Sequence, residues 1–172
     1  MFQPDARFAP APGSPPYPAI SVRKLVILCL CTLGTYEIHW FYRCWWAVRV
    51  RAGVKLNPLL RSLLFFVFCY PLFMRIKSAA REKGIRSRFT PILAGAGCTV
   101  FALLWRLADV LWPTALLTVV PLVAAQREIN RLNMAVAPGI TPDDRFAGWQ
   151  KVLLPFGALM LFLVLVGAVL SP

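Results

Sequence analysis

One segment of this chain, residues 152–170, contains no charged residue and is apolar along most of its length. A helix of that length rises about 28 Å, close to the hydrocarbon thickness of a bilayer. Trp149 and Lys151 come directly before it, where interfacial residues are expected. The segment therefore predicts a transmembrane helix, which places the chain among integral membrane proteins.

Four other apolar blocks, at residues 25–42, 62–74, 91–105 and 110–129, alternate with polar and basic segments. The blocks 91–105 and 110–129 predict a helical hairpin. The turn of this hairpin carries Arg106 and Asp109, which are three residues apart and can pair across one helical turn. The block 62–74 is short for a crossing, so we expect an interfacial or re-entrant helix there. The predicted fold is all-α and polytopic, with three transmembrane helices at 91–105, 110–129 and 152–170.

The first block, residues 25–42, allows two interpretations. A continuous helix would reach about 27 Å and could cross the membrane. If Gly34 breaks the helix, two legs of about nine residues reach only ~13 Å each, which favours a re-entrant hairpin. The sequence leaves both open, and with them the side of the membrane that holds the N-terminus.

The predicted membrane domain covers residues 22–172. A polar tail precedes it, and a polar segment lies within it before the last apolar block. Residues 1–21 are rich in proline and predict a disordered, extended tail. Residues 141–144 read Thr-Pro-Asp-Asp, a pattern of N-cap, first-turn proline and first-turn acids that predicts the start of a short interfacial helix.

The net charge of +12 is distributed between the apolar blocks. If both early blocks are re-entrant, eighteen of the 19 Lys and Arg residues lie on one side; if residues 25–42 cross, fifteen do; if both early blocks cross, thirteen do. The positive-inside rule disfavours the last arrangement. A one-sided charge with no groove-reading motif predicts anionic headgroups as the partner and excludes nucleic acid. The candidate headgroup contacts are Arg75, Lys77, Arg81, Lys83, Arg86 and Arg88.

Ionisable residues at membrane depth are expensive, which makes Glu37, His39 and Arg43 a candidate intramembrane polar site. His39 and Arg43 share a helical face and Glu37 does not, so the simpler interpretation is hydration or local pairing near the inner interface. No carboxylate pair, nucleophile with an adjacent base, or metal-binding motif accompanies them. We expect no enzyme activity, metal or cofactor, and the five cysteines are predicted to be free thiols.

Residues 32–43 read T-L-G-T-Y-E-I-H-W-F-Y-R. This stretch resembles the T-L-G-x-Y-x-x-x-W-F-Y-(K/R) signature of a family of small bacterial membrane proteins, catalogued as domain of unknown function 4234. Glu37 and His39 depart from it, since a small or apolar residue is frequent at the first position and an aromatic residue is common at the second. The resemblance implies a multi-pass protein of the bacterial inner membrane, but no activity.

Together these patterns predict a structural or interaction role: binding anionic lipid, another membrane protein or a second copy of the chain. The alternative is a small channel or transporter subunit that uses Glu37 or His39 as its coupling residue.

Overall fold

The computed structural model describes residues 14–104 and 116–170, and within these ranges the fold is all-α, as predicted. Its helices are α1 (Val22–Cys31), α2 (Thr35–Ala52), α3 (Pro58–Leu63), α4 (Phe65–Glu82), α5 (Pro91–Leu104), α6 (Val119–Val136) and α7 (Gly148–Leu170). Among the described residues, no helix is both long enough and apolar enough to cross a bilayer. The predicted hairpin turn with Arg106 and Asp109 lies outside the described residues.

The block 25–42 forms two helices that meet at a sharp turn. Helix α1 begins at the N-cap Ser21, whose hydroxyl oxygen accepts the Lys24 amide, and it ends where Gly34 donates to the carbonyl of Cys29. Gly34 has a φ of 86°, a conformation that favours glycine. Of the two interpretations of residues 25–42, the structure shows the one in which the helix breaks at Gly34. The second leg is longer than expected, because α2 continues for 18 residues until Gly53.

The block 62–74 is part of a longer helix than predicted. Helix α3 starts at Pro58 after the N-cap Asn57, and α4 then runs to Glu82 with Pro71 inside it. A proline inside a helix is expected to break it, yet α4 continues through Pro71 for a further 11 residues to Glu82. A proline in a helix interior costs about 3 kcal/mol, whereas each large apolar side chain that α4 buries contributes about 1.5–3 kcal/mol. Leu72, Phe73 and Ile76 are buried on this helix.

Helices α4 and α5 pack antiparallel at close range. Tyr70 lies against Gly95, and the Thr99 hydroxyl donates to the carbonyl of Phe66 at 2.7 Å. A Cβ at Gly95 would lie 3.2 Å from the Tyr70 Cβ, so the small residue at this position allows the approach. Gly97 on the same helix faces Pro121 of α6.

The core lies among α1, α2, α4, α5 and α6. Its largest fully buried side chains include Trp40, Phe41 and Trp45 of α2 and Phe73 of α4. The ring of Phe41 stacks on that of Phe65, with centroids 5.4 Å apart. Helix α2 also carries Glu37, His39 and Arg43. The packing of its aromatic side chains therefore positions these three residues.

Two predictions for the polar segments are wrong. Residues 17–21 are not a disordered tail: Tyr17 and Ile20 are buried, and Ile20 pairs with Asp143 in an isolated parallel bridge. No helix begins at residues 141–144, because the backbone of Asp143 bonds to that of Ala19 and Ser21 instead. The next helix, α7, starts at Gly148. Residues 1–13 of the predicted tail lie outside the described residues.

Candidate functional site

The three residues of the predicted intramembrane site do not form a cluster. Glu37 is buried in the first turn of α2, and its Oε1 accepts a hydrogen bond of 2.5 Å from the Thr118 hydroxyl. His39 is exposed, and its ring packs near those of Tyr36 and Trp149, with centroids 5.4 and 5.8 Å away. The carboxyl and the imidazole thus face different surroundings.

Arg43 is exposed one turn after His39 on the same face of α2. Within the described residues it makes no hydrogen bond or ion pair. The hypothesis of a coupled polar site therefore gains no geometric support, because a relay needs its members within hydrogen-bond reach.

Gln126, Asn130 and Asn133 form a row of buried amides on α6, here called the amide row, whereas the sequence alone left Asn130 and Asn133 as candidate headgroup contacts or caps. Asn133 exchanges two hydrogen bonds with the backbone of Tyr17: its Nδ2 donates to the carbonyl at 3.0 Å, and its Oδ1 accepts from the amide at 3.2 Å. One turn earlier, Asn130 donates to the carbonyl of Ile20 at 3.0 Å. Gln126 donates to the carbonyls of Pro18 and Ile20.

The row also connects to the aromatic core. The indole Nε1 of Trp40 donates to Gln126 Oε1 at 2.7 Å, and Gln126 in turn donates to Asn130 Oδ1. The three amides are buried and follow each other at i, i+4 and i+7, which places them on one face of α6. Each amide bonds backbone groups of residues 17–20. These residues belong to no helix or sheet that could satisfy those groups. This spacing is visible in the sequence. Three carboxamides on one helical face of a membrane-like sequence need hydrogen-bond partners, so the spacing could have indicated a buried cluster.

A second anchor fixes the other edge of the same segment. The ammonium of Lys24 is buried, donates to Asp143 Oδ2 at 2.7 Å and also bonds the carbonyl of Arg145. The hydrogen bond from Lys24 lowers the pKa of the Asp143 carboxyl below its ordinary value, and the Arg145 amide adds to this effect. Burial raises the pKa of the Tyr17 phenol. Residues 17–21 therefore lie between α6 and residues 143–145, bonded to the first by the amide row and to the second by the backbone of Asp143.

A pocket of about 440 Å³ opens between this segment and α2. One wall is residues 14–19, and the other is formed by Tyr42, Arg43, Trp46, Ala47, Val50 and Arg51. The guanidinium of Arg51 donates to the carbonyl of Ser14 at 2.8 Å, closing one end of the pocket. Two arginines and no carboxylate line it, so its chemistry suits an anion.

The candidate headgroup residues are placed together by the end of α4 and the loop before α5. Five of them are exposed, and Lys77 is partly exposed: the group is Arg75, Lys77, Arg81, Lys83, Arg86 and Arg88, here called the basic band. No disulfide pairs the cysteines, and Cys29, Cys44, Cys69 and Cys98 are buried. Among the described residues no three His, Cys, Asp or Glu side chains lie close enough to hold a metal ion.

Comparison with known proteins adds no assignment to this geometry. No family model, curated protein or solved structure matches the chain. The resemblance of residues 32–43 to the bacterial membrane family stays a prediction.

Proposed function

We propose that this all-α protein is embedded in the bacterial inner membrane and binds anionic lipid at the cytoplasmic face, acting as a structural or interaction protein. The observation that carries the proposal is the apolar surface that the helices leave uncovered. On α7, Val152, Phe156 and Phe162 are 72%, 62% and 61% exposed. On α5, Ile92 and Leu93 are 65% and 74% exposed.

Apolar exposure of this extent is unfavourable in water. Burying one such side chain contributes about 1.5–3 kcal/mol, and monomers in water rarely leave a contiguous apolar patch larger than a few hundred Å². In a bilayer, lipid acyl chains would cover these apolar faces, and no protein partner would be needed to bury them. The predicted crossings at 91–105, 110–129 and 152–170 remain part of this proposal.

The hairpin of α4 and α5 gives the proposal an orientation. The exposed apolar residues Val67, Tyr70 and Met74 lie in the first part of α4, and the basic band starts directly after them. Residues 64–74 rise about 17 Å, close to the hydrocarbon depth of one leaflet. The hairpin can therefore insert its apolar end into the leaflet while the basic band contacts the headgroups, each base contributing about 1 kcal/mol.

Two measurements on the full chain test this proposal. First, membranes that contain the protein are washed with alkaline carbonate, which should leave it in the pellet, whereas detergent should extract it. Second, the protein is reconstituted in nanodiscs of phosphatidylglycerol or of phosphatidylcholine, and the lipids that remain bound after detergent exchange are quantified. We expect enrichment of phosphatidylglycerol that falls in the variant Arg81→Gln/Lys83→Gln/Arg86→Gln. The control variant Arg127→Gln changes an exposed base of α6 outside the basic band. Release by carbonate, or equal retention of the two lipids, would refute the proposal.

A further inference from the structure

The pocket between residues 14–19 and α2 shares no lining residue with the basic band and has the features of a binding site. We propose that it holds a phosphate-bearing amphiphile, with Arg43 and Arg51 at the phosphate group and Trp46 beside the apolar portion. This inference rests on the proposed lipid association and deepens it, because it assigns a specific binding site for one lipid rather than a general contact with headgroups.

The charges of the pocket select an anion. Arg43 and Arg51 are separated by two helical turns, about 12 Å along the axis, a distance that two long side chains can bridge toward one group. A guanidinium presents five N–H donors. Arg51 uses donors of one nitrogen on Ser14, which positions its guanidinium and leaves others for a ligand. Arg43 has no protein partner in the described part of the chain.

The walls of the pocket select an amphiphile over a small ion. Pro15, Pro16 and Pro18 form one side, and the rings of Tyr42 and Trp46 lie on the other. A lone phosphate needs none of this apolar surface, whereas a glycerol backbone with the start of an acyl chain would cover it. The volume of about 440 Å³ lies in the range of small-molecule sites.

Hydrogen bonds and buried side chains hold both walls of the pocket in place. The amide row bonds the backbone of Tyr17, Pro18 and Ile20, the backbone of Asp143 bonds Ala19 and Ser21, and Arg51 bonds Ser14. On the other wall, α2 is fixed by its buried aromatic side chains. A ligand therefore meets a pocket whose ordering has already been achieved by folding, which favours retention through detergent exchange.

The test uses the full chain purified in a neutral detergent and native mass spectrometry after delipidation and addition of one defined ligand. The ligands are phosphatidylglycerol, glycerol 3-phosphate and inorganic phosphate. We expect one tightly held phosphatidylglycerol per chain. Binding of glycerol 3-phosphate with equal affinity would show that the site takes free phosphates and would overturn the amphiphile assignment.

Three variants separate this site from the basic band. Arg43→Gln/Arg51→Gln should weaken retention of the single lipid about tenfold for each arginine, that is about 1.4 kcal/mol each. Val50→Trp should do the same by filling the pocket without changing any charge. Arg23→Gln, an exposed base of α1 outside the pocket, is the matched control and should retain the lipid.

The outcomes distinguish the two proposals. If Arg43→Gln/Arg51→Gln and Val50→Trp both hold the lipid as the wild type does, the pocket assignment is wrong while the enrichment that depends on the basic band can still stand. If the basic-band variant loses that enrichment but still holds the single lipid, the pocket binds its lipid independently of the basic band. Far-UV circular dichroism verifies that each variant is folded, and hydrogen exchange at residues 14–19 and 42–51 of the wild type should slow when phosphatidylglycerol is added. Unchanged exchange would also overturn the assignment.

Discussion

The carbonyl group of Cys31 at the end of α1 lies directly against Gly157 of α7. A Cβ placed on Gly157 would be 1.7 Å from the carbonyl oxygen and 2.6 Å from the carbonyl carbon. Both obstacles are backbone atoms, so no side-chain rotation can relieve the overlap. The contact between α1 and α7 therefore requires glycine at this position.

Gly157→Ala should lower the free energy of unfolding by about 1–3 kcal/mol, because the two helices must separate to admit the methyl group. The measurement is unfolding in detergent followed by circular dichroism. Gly97→Ala is the control: the nearest atom to its added Cβ would be Pro121 Cγ at 3.7 Å, an ordinary contact. Equal stability of Gly157→Ala and the wild type would contradict the close packing of α1 and α7.

The amide row makes a separate prediction about residues 17–20. Asn133→Ala removes the partner of both the amide and the carbonyl of Tyr17. Each buried group left unsatisfied costs about 1–3 kcal/mol. We expect a loss of about 2–4 kcal/mol and much faster hydrogen exchange at the Tyr17 amide.

Asn57→Ala is the reference for this experiment, since Asn57 caps the exposed start of α3 and its loss should cost about 1 kcal/mol. If the Tyr17 amide keeps its protection in Asn133→Ala, the segment is held by something other than the amide row.

The sequence predicts the helices better than the contacts between them. Apolar runs locate α4, α5 and α7, and Gly34 marks the break between α1 and α2, because these features depend on local backbone preference and on length. Helix ends are missed where tertiary burial outweighs a local signal. Pro71 is retained in α4 for that reason.

The candidate site is harder to predict because its partners are distant in sequence. From the sequence alone Asn130 and Asn133 are candidate headgroup contacts or caps, yet they bond the backbone of residues more than a hundred positions earlier. Residues 14–19 are rich in proline, and this composition suggests disorder. Nothing local in the sequence shows that a helix far along the chain supplies their hydrogen bonds. The spacing on α2 predicts that Glu37 and His39 lie on different faces, but their partners Thr118 and Trp149 are distant in sequence and follow only from the packing of α2.

The ion pair of Lys24 and Asp143 makes stability depend on pH. The pKa of Asp143 is lower in the folded protein than in the unfolded chain, where it is about 3.9. The pair therefore contributes its full stabilisation above about pH 4, and this is lost as the pH falls through the folded-state pKa. Asp143→Asn should be less stable than the wild type at neutral pH, and the difference should shrink below about pH 4.

Unfolding of both proteins between pH 2 and 7 measures this difference. Glu82→Gln serves as the control because Glu82 is an exposed carboxylate that forms no salt bridge within the described residues. A stability difference between Asp143→Asn and the wild type that stays constant down to pH 2 would show that Lys24 does not need the ionised carboxylate.

The guanidinium of Arg61 lies over two aromatic rings. The guanidinium carbon is 4.5 Å from the ring centroid of Trp45 and 5.0 Å from that of Phe68. Within the described residues the buried Trp45 Nε1 has no hydrogen-bond partner, so the ring face carries the polar interaction of this side chain. Arg61→Met keeps an unbranched, largely apolar side chain but removes the guanidinium and its charge, and it should lower the free energy of unfolding by about 1 kcal/mol. A double-mutant cycle with Trp45→Leu should give a coupling of about 0.5–2 kcal/mol, whereas a coupling near zero would show that Arg61 acts through packing alone.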